Sequence, residues 1–245
     1  MKKIIDFVRL LKKPKLIGLL VKKLPVSISS FRNVENLKKY IKQVNTVIDV
    51  GANIGQFTLA VNYYFPNLKI YSFEPSKLAY KRLIKSLGNN KNVILFNFGL
   101  GDVDGEIEFY ENSFDQISSF SKIDLSNNNK VYKKSKSVTT KAVIKKLDDI
   151  FNTINVIPPV LLKLDVQGLE DRVLMGALKS LKSIDYILLE LAFEKLYEEQ
   201  LLFNEMNELL KSLGYNFIAP MGFNLGDDNR IIEVDALFRK EELKN

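Results

Sequence analysis

The chain has 245 residues, of which 46% are hydrophobic and 27% are charged, a composition typical of a globular protein with one good core. No apolar run approaches the ~20 residues that cross a bilayer, which excludes a membrane-spanning helix. Cysteine and histidine are absent, which excludes disulfides, Ser-His-Asp triads and histidine-ligated metals, so proton transfer falls to Asp, Glu, Lys, Tyr or water.

The net charge of +7 lies in the first 24 residues. Residues 1–24 contain eight of the 36 basic residues and one of the 29 acidic residues. The rest of the chain therefore has 28 basic and 28 acidic residues. Pro14 divides this segment into two short amphipathic pieces, and its uncharged run 16–21 is too short for a secretory signal, so we expect a cytoplasmic protein. Two interpretations stay open: a helix pair that packs on the domain, or a peripheral contact with anionic lipid at the inner face of the membrane. A nucleic-acid arm is disfavoured because the rest of the chain has no net basic charge.

Short apolar runs alternate with helical patterns from residue 45 onward. The pattern predicts three strands separated by two helices: strands at 46–50, 69–73 and 93–98, and helices at 57–64 and 76–87. The spacing of ~20–25 residues between strands implies right-handed crossovers and therefore a parallel sheet.

The stretch 101–147 breaks this alternation. Two β-like runs, at 106–110 and 137–143, flank a polar stretch with three consecutive asparagines. We predict an antiparallel, β-rich insertion after the third strand, at an edge of the sheet.

Regular alternation resumes after the insertion. The predicted elements are a short helix at 147–150, a strand at 160–165, a helix at 169–180, a strand at 184–191, a helix at 200–213, and strands at 215–219 and 231–238. The last two strands are expected to pair antiparallel. The sequence therefore predicts an α/β fold with about seven main-sheet strands and helices on both faces.

The sharpest local motif is the turn Asp49-Val-Gly-Ala-Asn-Ile-Gly55, between the first strand and the helix that follows it. Glycines allow a tight turn and a close approach to a ligand, and the helix points free N–H groups toward it. The dinucleotide fingerprint G-x-G-x-x-G and the Walker loop both fail here. Asp49 would repel a pyrophosphate but favour a ligand with an ammonium or sulfonium centre.

A second acid, Glu74, ends the second strand, where it is well placed to accept hydrogen bonds from a ribose diol. The glycine turn and this acid, at this spacing on successive strands, indicate an adenosyl ligand. S-adenosylmethionine carries both the adenosyl group and the positive charges.

With these motifs the chain resembles the FkbM-type family of class I S-adenosylmethionine-dependent methyltransferases, over roughly residues 44–240. The resemblance rests on six segments: 47–55, Phe73-Glu-Pro75, Gly101-Asp102 with Gly105, Leu147-Asp-Asp149, Leu162-Lys-Leu-Asp-Val-Gln-Gly-Leu-Glu170 and Leu188-Leu-Glu190. It implies a Rossmann-like sheet of seven strands with one reversed, and O-methylation of a hydroxyl on a sugar, glycan or related secondary metabolite. We expect a basic helical segment at 1–43 and a methyltransferase domain at 44–245.

The resemblance also implies roles for residues of the cofactor site. The amino-acid part of S-adenosylmethionine would be cradled by the glycine turn, that is by Asp49, Gly51, Asn53 and Gly55. Glu74 would hold the ribose, and Gly101 and Asp102 would lie near the adenine.

Three carboxylates are candidates for the base that activates an acceptor hydroxyl: Asp165, Glu170 and Glu190. Asp165 ends the central strand, Glu170 opens the next helix, and Glu190 interrupts an apolar strand. Gln167 stands where the family often has Glu, and with Ser118 and Ser119 of the insertion it is a candidate substrate contact. Paired carboxylates could hold a divalent ion, but we predict no metal.

Two alternative functions stay open. A nucleic-acid methyltransferase commonly has Asn/Asp-Pro-Pro-aromatic after the fourth strand, where this chain has Asp165-Val-Gln-Gly168. A non-catalytic adenosyl-binding module would keep the glycine turn without turnover. We therefore expect a small-molecule or glycan acceptor and no nucleic-acid partner, and no motif in 101–147 names that acceptor.

Overall fold

The computed structural model describes residues 14–112, 137–195, 197, 200–226 and 228–241. Its helices are α1 (Pro14–Val21), α2 (Ile28–Tyr40), α3 (Gln56–Tyr64), α4 (Lys77–Leu87), α5 (Leu147–Ile150), α6 (Glu170–Met175) and α7 (Phe203–Ser212). Its strands are β1 (Thr46–Val50), β2 (Lys69–Phe73), β3 (Val93–Phe96), β4 (Gly99–Leu100), β5 (Gly105–Asn112), β6 (Ser137–Lys145), β7 (Val160–Leu164), β8 (Tyr186–Ala192), β9 (Tyr215–Leu225) and β10 (Ile231–Lys240).

The main sheet has seven strands in the order β3-β2-β1-β7-β8-β10-β9. All neighbours pair in parallel except β10, which runs antiparallel to both β8 and β9. This confirms the predicted seven-stranded sheet with one reversed strand. Because the central strands β1 and β7 are buried along their whole length, helices must cover both faces of the sheet.

Two hydrophobic clusters occupy the two faces. Buried residues of α1 to α4, such as Leu16, Phe31 and Leu83, share one cluster with the sheet. The other cluster contains residues of α5, α6 and α7, such as Leu174 and Met206. The predicted helices on both faces are therefore confirmed, and α1 and α2 belong to the same core as the sheet.

The insertion forms its own small sheet. β5 and β6 pair antiparallel, as predicted, and β6 also pairs in parallel with β4. The three strands make a separate sheet rather than extending the edge of the main one.

Two helices differ from the prediction. Helix α2 was not predicted as a separate element, although Phe31, Val34 and Leu37 lie on its buried side at the three-residue spacing of a helix. The helix predicted over 169–180 ends at Met175, and only a 3-10 turn follows at Ser180–Ser183. Among the described residues, no helix is both long and apolar enough to cross a bilayer.

Candidate active site

A cavity of about 260 Å³ opens at the carboxyl edge of the main sheet. This is the edge where open α/β sheets bind ligands. Its walls come from the glycine turn, the loop after β2, the start of α2, and the ends of β4, β7 and β8. Of the residues predicted for the site, six line the cavity: Gly51, Asn53, Glu74, Asp165, Gln167 and Glu190.

The glycines of the turn are required by the protein's own packing. Gly51 and Gly55 have left-handed φ values of 75° and 94°. A Cβ on Gly51 would lie 1.9 Å from the backbone oxygen of Asp165, and one on Gly55 would lie 2.7 Å from side-chain atoms of Leu83 and Leu87. The turn therefore fits tightly against β7 and α4. The left-handed φ values confirm the tight turn that the sequence predicts, and the close packing adds a second reason for glycine at these two positions.

Glu74 joins the two loops on the β1–β2 side of the cavity. Its side chain is buried, and its two oxygens accept hydrogen bonds from the backbone N–H of Asn53 and of Ser76, each at 2.7 Å. Burial raises the pKa of Glu74 to about 7, against the opposing effect of these two hydrogen bonds. A carboxylate has about four acceptor sites, so Glu74 retains capacity to accept from a ligand in the cavity.

Asp49 does not line the cavity. It is completely buried, with Oδ2 accepting from Thr58 at 2.6 Å and Oδ1 lying 3.2 Å from the ammonium of Lys163. The negative charge that we expected to attract a sulfonium is therefore balanced by a lysine inside the protein. Asp49 is therefore not positioned to contact the cofactor directly. It lies beneath the glycine turn instead.

Lys163 is a site residue that the sequence prediction missed. Its ammonium also lies 3.3 Å from Oδ2 of Asp165 and 3.4 Å from the backbone oxygen of Gly51. Burial alone would lower the pKa of Lys163, but the carboxylates of Asp165 and Asp49 outweigh burial and raise this pKa above its ordinary value. Lys163 therefore stays charged and connects the glycine turn to Asp165.

Asp165 is held on its other side by an amide. Gln167 donates to Oδ1 of Asp165 at 3.0 Å and accepts from the Tyr197 hydroxyl at 2.6 Å. Gln167 adopts a left-handed backbone with φ of 59°, and these two side-chain bonds hold it there. Both oxygens of Asp165 thus have a protein donor or cation. Tyr197 was also missed, because it is distant in sequence from the motif that it contacts.

Glu190 has different surroundings from Asp165. It lies within β8, two residues before the strand ends at Ala192, and pairs with Asp235 of β10. Burial, followed by the charges of Asp165, Glu233 and Asp235, raises the pKa of Glu190 well above its ordinary value. Within the part of the chain that the structure describes, no lysine or arginine forms an ion pair with Glu190.

Glu170 faces a loop and not the cavity. Its buried carboxylate accepts from the backbone N–H of Val166 at 3.0 Å and of Gly168 at 3.1 Å. Burial raises the pKa of Glu170 to about 7. The predicted catalytic role is not supported by this position, because the carboxylate is used to shape the loop that carries Gln167.

The remaining predicted residues either do not line the cavity or lie outside the residues that the structure describes. Gly101 and Asp102 follow the lining residues Gly99 and Leu100, and Asp102 accepts from Arg172 at 2.9 Å. They do not line the cavity, because the chain has already turned toward α6. Ser118 and Ser119 lie outside the described residues. Among the residues that are described, no group of three or more acidic side chains is arranged to hold a metal ion.

Comparison with known proteins agrees with the fold and the glycine turn. The model of the methyltransferase FkbM domain matches residues 49–217. The chain is 25% identical over 205 residues to the 2-O-methyltransferase NoeI of Sinorhizobium fredii (strain NBRC 101917 / NGR234), a match that covers 80% of each chain.

Two solved structures are among those to which the chain is similar. Magnesium protoporphyrin IX methyltransferase from Synechocystis PCC 6803, with bound SAM, matches with a TM-score of 0.49 at 9% identity, covering 87% of this chain and 78% of that one. The N-terminal domain of EvdMO1, solved in the presence of SAH and D-fucose, matches with a TM-score of 0.49 at 10% identity, covering 87% and 83%. Since the family model covers more than half of the sequence, the chain belongs to the FkbM family of S-adenosylmethionine-dependent methyltransferases.

Proposed function

We propose that this methyltransferase is an O-methyltransferase that acts on a hydroxyl of a sugar, a glycan or a related secondary metabolite, with Glu190 as the general base. The similarity to a protein named as a 2-O-methyltransferase supports transfer to oxygen. The observation that carries the proposal is Glu190 itself, a cavity-lining carboxylate whose pKa is raised and which has no basic partner among the described residues. A carboxylate of raised pKa is a stronger base than an ordinary one.

The residues that line the cavity fit S-adenosylmethionine. Glu74 stands at the end of β2 with acceptor capacity for a ribose. Asp165 also lines the cavity, where its negative charge complements a ligand that carries a sulfonium and an ammonium group. When bound, S-adenosylmethionine would supply a methyl group already activated by the positive sulfur.

Activation of the acceptor is then the task of the protein. A neutral hydroxyl is a poor nucleophile, and its proton would pass to the Glu190 carboxylate as the oxygen accepts the methyl group. A positioned base of this kind contributes ~10²–10⁴-fold to the rate. Asp165 is the weaker candidate for this base because Lys163 and Gln167 already occupy its two oxygens. We assign Asp165 to holding the side chains of Lys163 and Gln167 in the wall of the cavity.

The charge of the chain argues against a nucleic-acid acceptor. Outside residues 1–24 the chain holds 28 basic and 28 acidic residues, so this part has no net positive charge to attract a phosphodiester backbone. A neutral sugar needs no such charge.

The test is transfer of labelled methyl groups from S-adenosylmethionine to a panel of monosaccharides, oligosaccharides and nucleic acids. We expect a sugar-containing acceptor to gain one methyl group on oxygen. Labelling of nucleic acid alone would contradict the proposal, and no labelling of any acceptor despite cofactor binding would favour the non-catalytic module.

On the acceptor found, Glu190→Gln should lower kcat by ~10²–10⁴-fold while the affinity for S-adenosylmethionine stays near that of the parent. Glu194→Gln is the matched control, because Glu194 is nearby on the chain but pairs with Arg230 at 3.6 Å. If Glu190→Gln and Glu194→Gln turn over alike, Glu190 is not the base.

A further inference from the structure

Helix α1 presents an apolar outer side to solvent. Leu16 is 1% exposed and packs in the core, and Leu19 packs partly buried against the same cluster. In contrast, Ile17 is 44% exposed, Leu20 38% and Val21 76%. The helix is therefore fixed to the body of the protein with three aliphatic side chains facing outward.

Basic residues accompany these aliphatic side chains. Lys22 and Lys23 follow α1 directly and are exposed, and residues 1–24 hold eight of the 36 basic residues with a single acid. We use the term α1 surface for Ile17, Leu20, Val21, Lys22 and Lys23.

The same face of the sheet carries α4, which adds positive charge. Helix α4 has no acidic residue, and its exposed basic side chains are Lys77, Lys81, Arg82 and Lys85. An anionic partner that approaches α1 is therefore attracted by this face as a whole.

We propose that the α1 surface docks on an anionic lipid bilayer. Aliphatic side chains flanked by lysines suit the boundary between headgroups and acyl chains. There the burial of the aliphatic groups and the attraction of the lysines to anionic headgroups both favour binding. Single-stranded nucleic acid is usually bound with aromatic stacking as well as positive charge, and α1 contains no aromatic residue. Because α1 has only eight residues, it lies on the membrane surface and does not cross it.

Docking through α1 would bring the cavity close to the lipid. Ser27, at the start of α2, lines the cavity and follows Val21 by six residues, a span of at most about 22 Å. The cavity opening is therefore held near the bilayer. An acceptor carried on a lipid could then reach the cavity, and this part of the inference rests on the proposed function. The docking itself does not rest on it.

The test is cosedimentation of the full chain with phosphatidylcholine vesicles that contain or lack phosphatidylglycerol. We expect binding only to the anionic vesicles, and weaker binding as salt is raised. Ile17→Glu/Val21→Glu should lower the partition coefficient roughly tenfold or more. The matched control is Ile157→Glu. Ile157 is 48% exposed but lies at the amino edge of the sheet, beside Thr46. This variant should bind the anionic vesicles as the parent does.

A second variant, Lys22→Gln/Lys23→Gln, changes only exposed side chains and should also lower binding severalfold. Affinity for S-adenosylmethionine, measured by calorimetry, should be unchanged in every variant and shows that each is folded. The proposal is overturned if the parent stays in the supernatant with anionic vesicles, if it binds only a nucleic acid, or if the α1 variants bind the vesicles as the parent does. None of these readouts requires methyl transfer, so they are independent of the proposed acceptor.

Discussion

Glu74 connects two loops of the cavity through a single carboxylate. Because its pKa is about 7, the ionised form, which accepts hydrogen bonds from a ribose more strongly, is populated only as the pH rises through that value. We predict that S-adenosylmethionine binds more tightly at about pH 8 than at about pH 6, and that Glu74→Gln weakens binding about tenfold at the higher pH and removes this dependence.

Calorimetry at both pH values checks the prediction. Glu106→Gln is the control, because the Glu106 side chain is 61% exposed. Equal cofactor affinity of Glu74→Gln and the parent at both pH values would remove Glu74 from the site.

Lys163 and Asp49 form a buried pair whose members depend on each other. Lys163→Met leaves the buried Asp49 carboxylate without its cation, so we expect a loss of ~3–5 kcal/mol in the free energy of unfolding. Asp49→Asn in the same chain should restore part of that loss. Urea unfolding of the two single variants and the double variant measures the coupling, and purely additive effects would show that the pair does not interact.

The sequence carries a signal for this pair. Each of two apolar strands, Thr46-Val-Ile-Asp-Val50 and Val160-Leu-Leu-Lys-Leu164, has its one charged residue at the fourth position. In the parallel register of β1 and β7 these two positions lie side by side. By contrast, Tyr197 reaches Gln167 across an irregular segment, and no periodic pattern predicts such a contact.

At the scale of elements, the end of α6 depends on a close contact with the loop after β4. A Cβ on Gly176 would lie 1.8 Å from the backbone oxygen of Gly101. We predict that Gly176→Ala destabilises the protein by ~1–3 kcal/mol, as overpacking does.

Gly18→Ala in α1 is the informative contrast. A Cβ on Gly18 has no neighbour within 4 Å, and alanine is a better helix former than glycine, so this substitution should stabilise by ~0.5–1 kcal/mol. Thermal unfolding of both variants distinguishes them. A neutral Gly176→Ala would contradict the close packing at the end of α6.

Most elements could be predicted because their patterns are local. The N-cap of α4 at Ser76, which accepts from the N–H of Ala79 at 3.1 Å, is one such signal. The early end of α6 is not local, since it depends on where the loop after β4 passes. The insertion strands were predicted, but their separation into a second sheet depends on the pairing of β6 with β4.

For the whole molecule, buried acids of raised pKa link stability to pH. Glu74 and Glu170 both titrate at about 7 in the folded protein, against an ordinary value of 4.5. Between these values the folded state holds protons that the unfolded state has lost, so stability falls as the pH rises from about 4.5 to about 7, by on the order of 3 kcal/mol per group.

The free energy of unfolding in urea, measured across this pH range, tests the linkage. Glu170→Gln removes one of the two groups and should make the dependence on pH shallower, whereas Glu106→Gln should not alter it. A steeper fall in stability for Glu170→Gln would show that the sign is wrong.

The pH dependence of the methyl-transfer rate tests the central claim most directly. Under single-turnover conditions with saturating cofactor, the parent should lose rate as the pH falls through the raised pKa of Glu190, because a protonated carboxyl cannot accept the hydroxyl proton. Glu190→Gln should be slow and lose that dependence. A Glu190→Gln variant that keeps the parent's rate and its acid limb would contradict the assignment of Glu190 as the base.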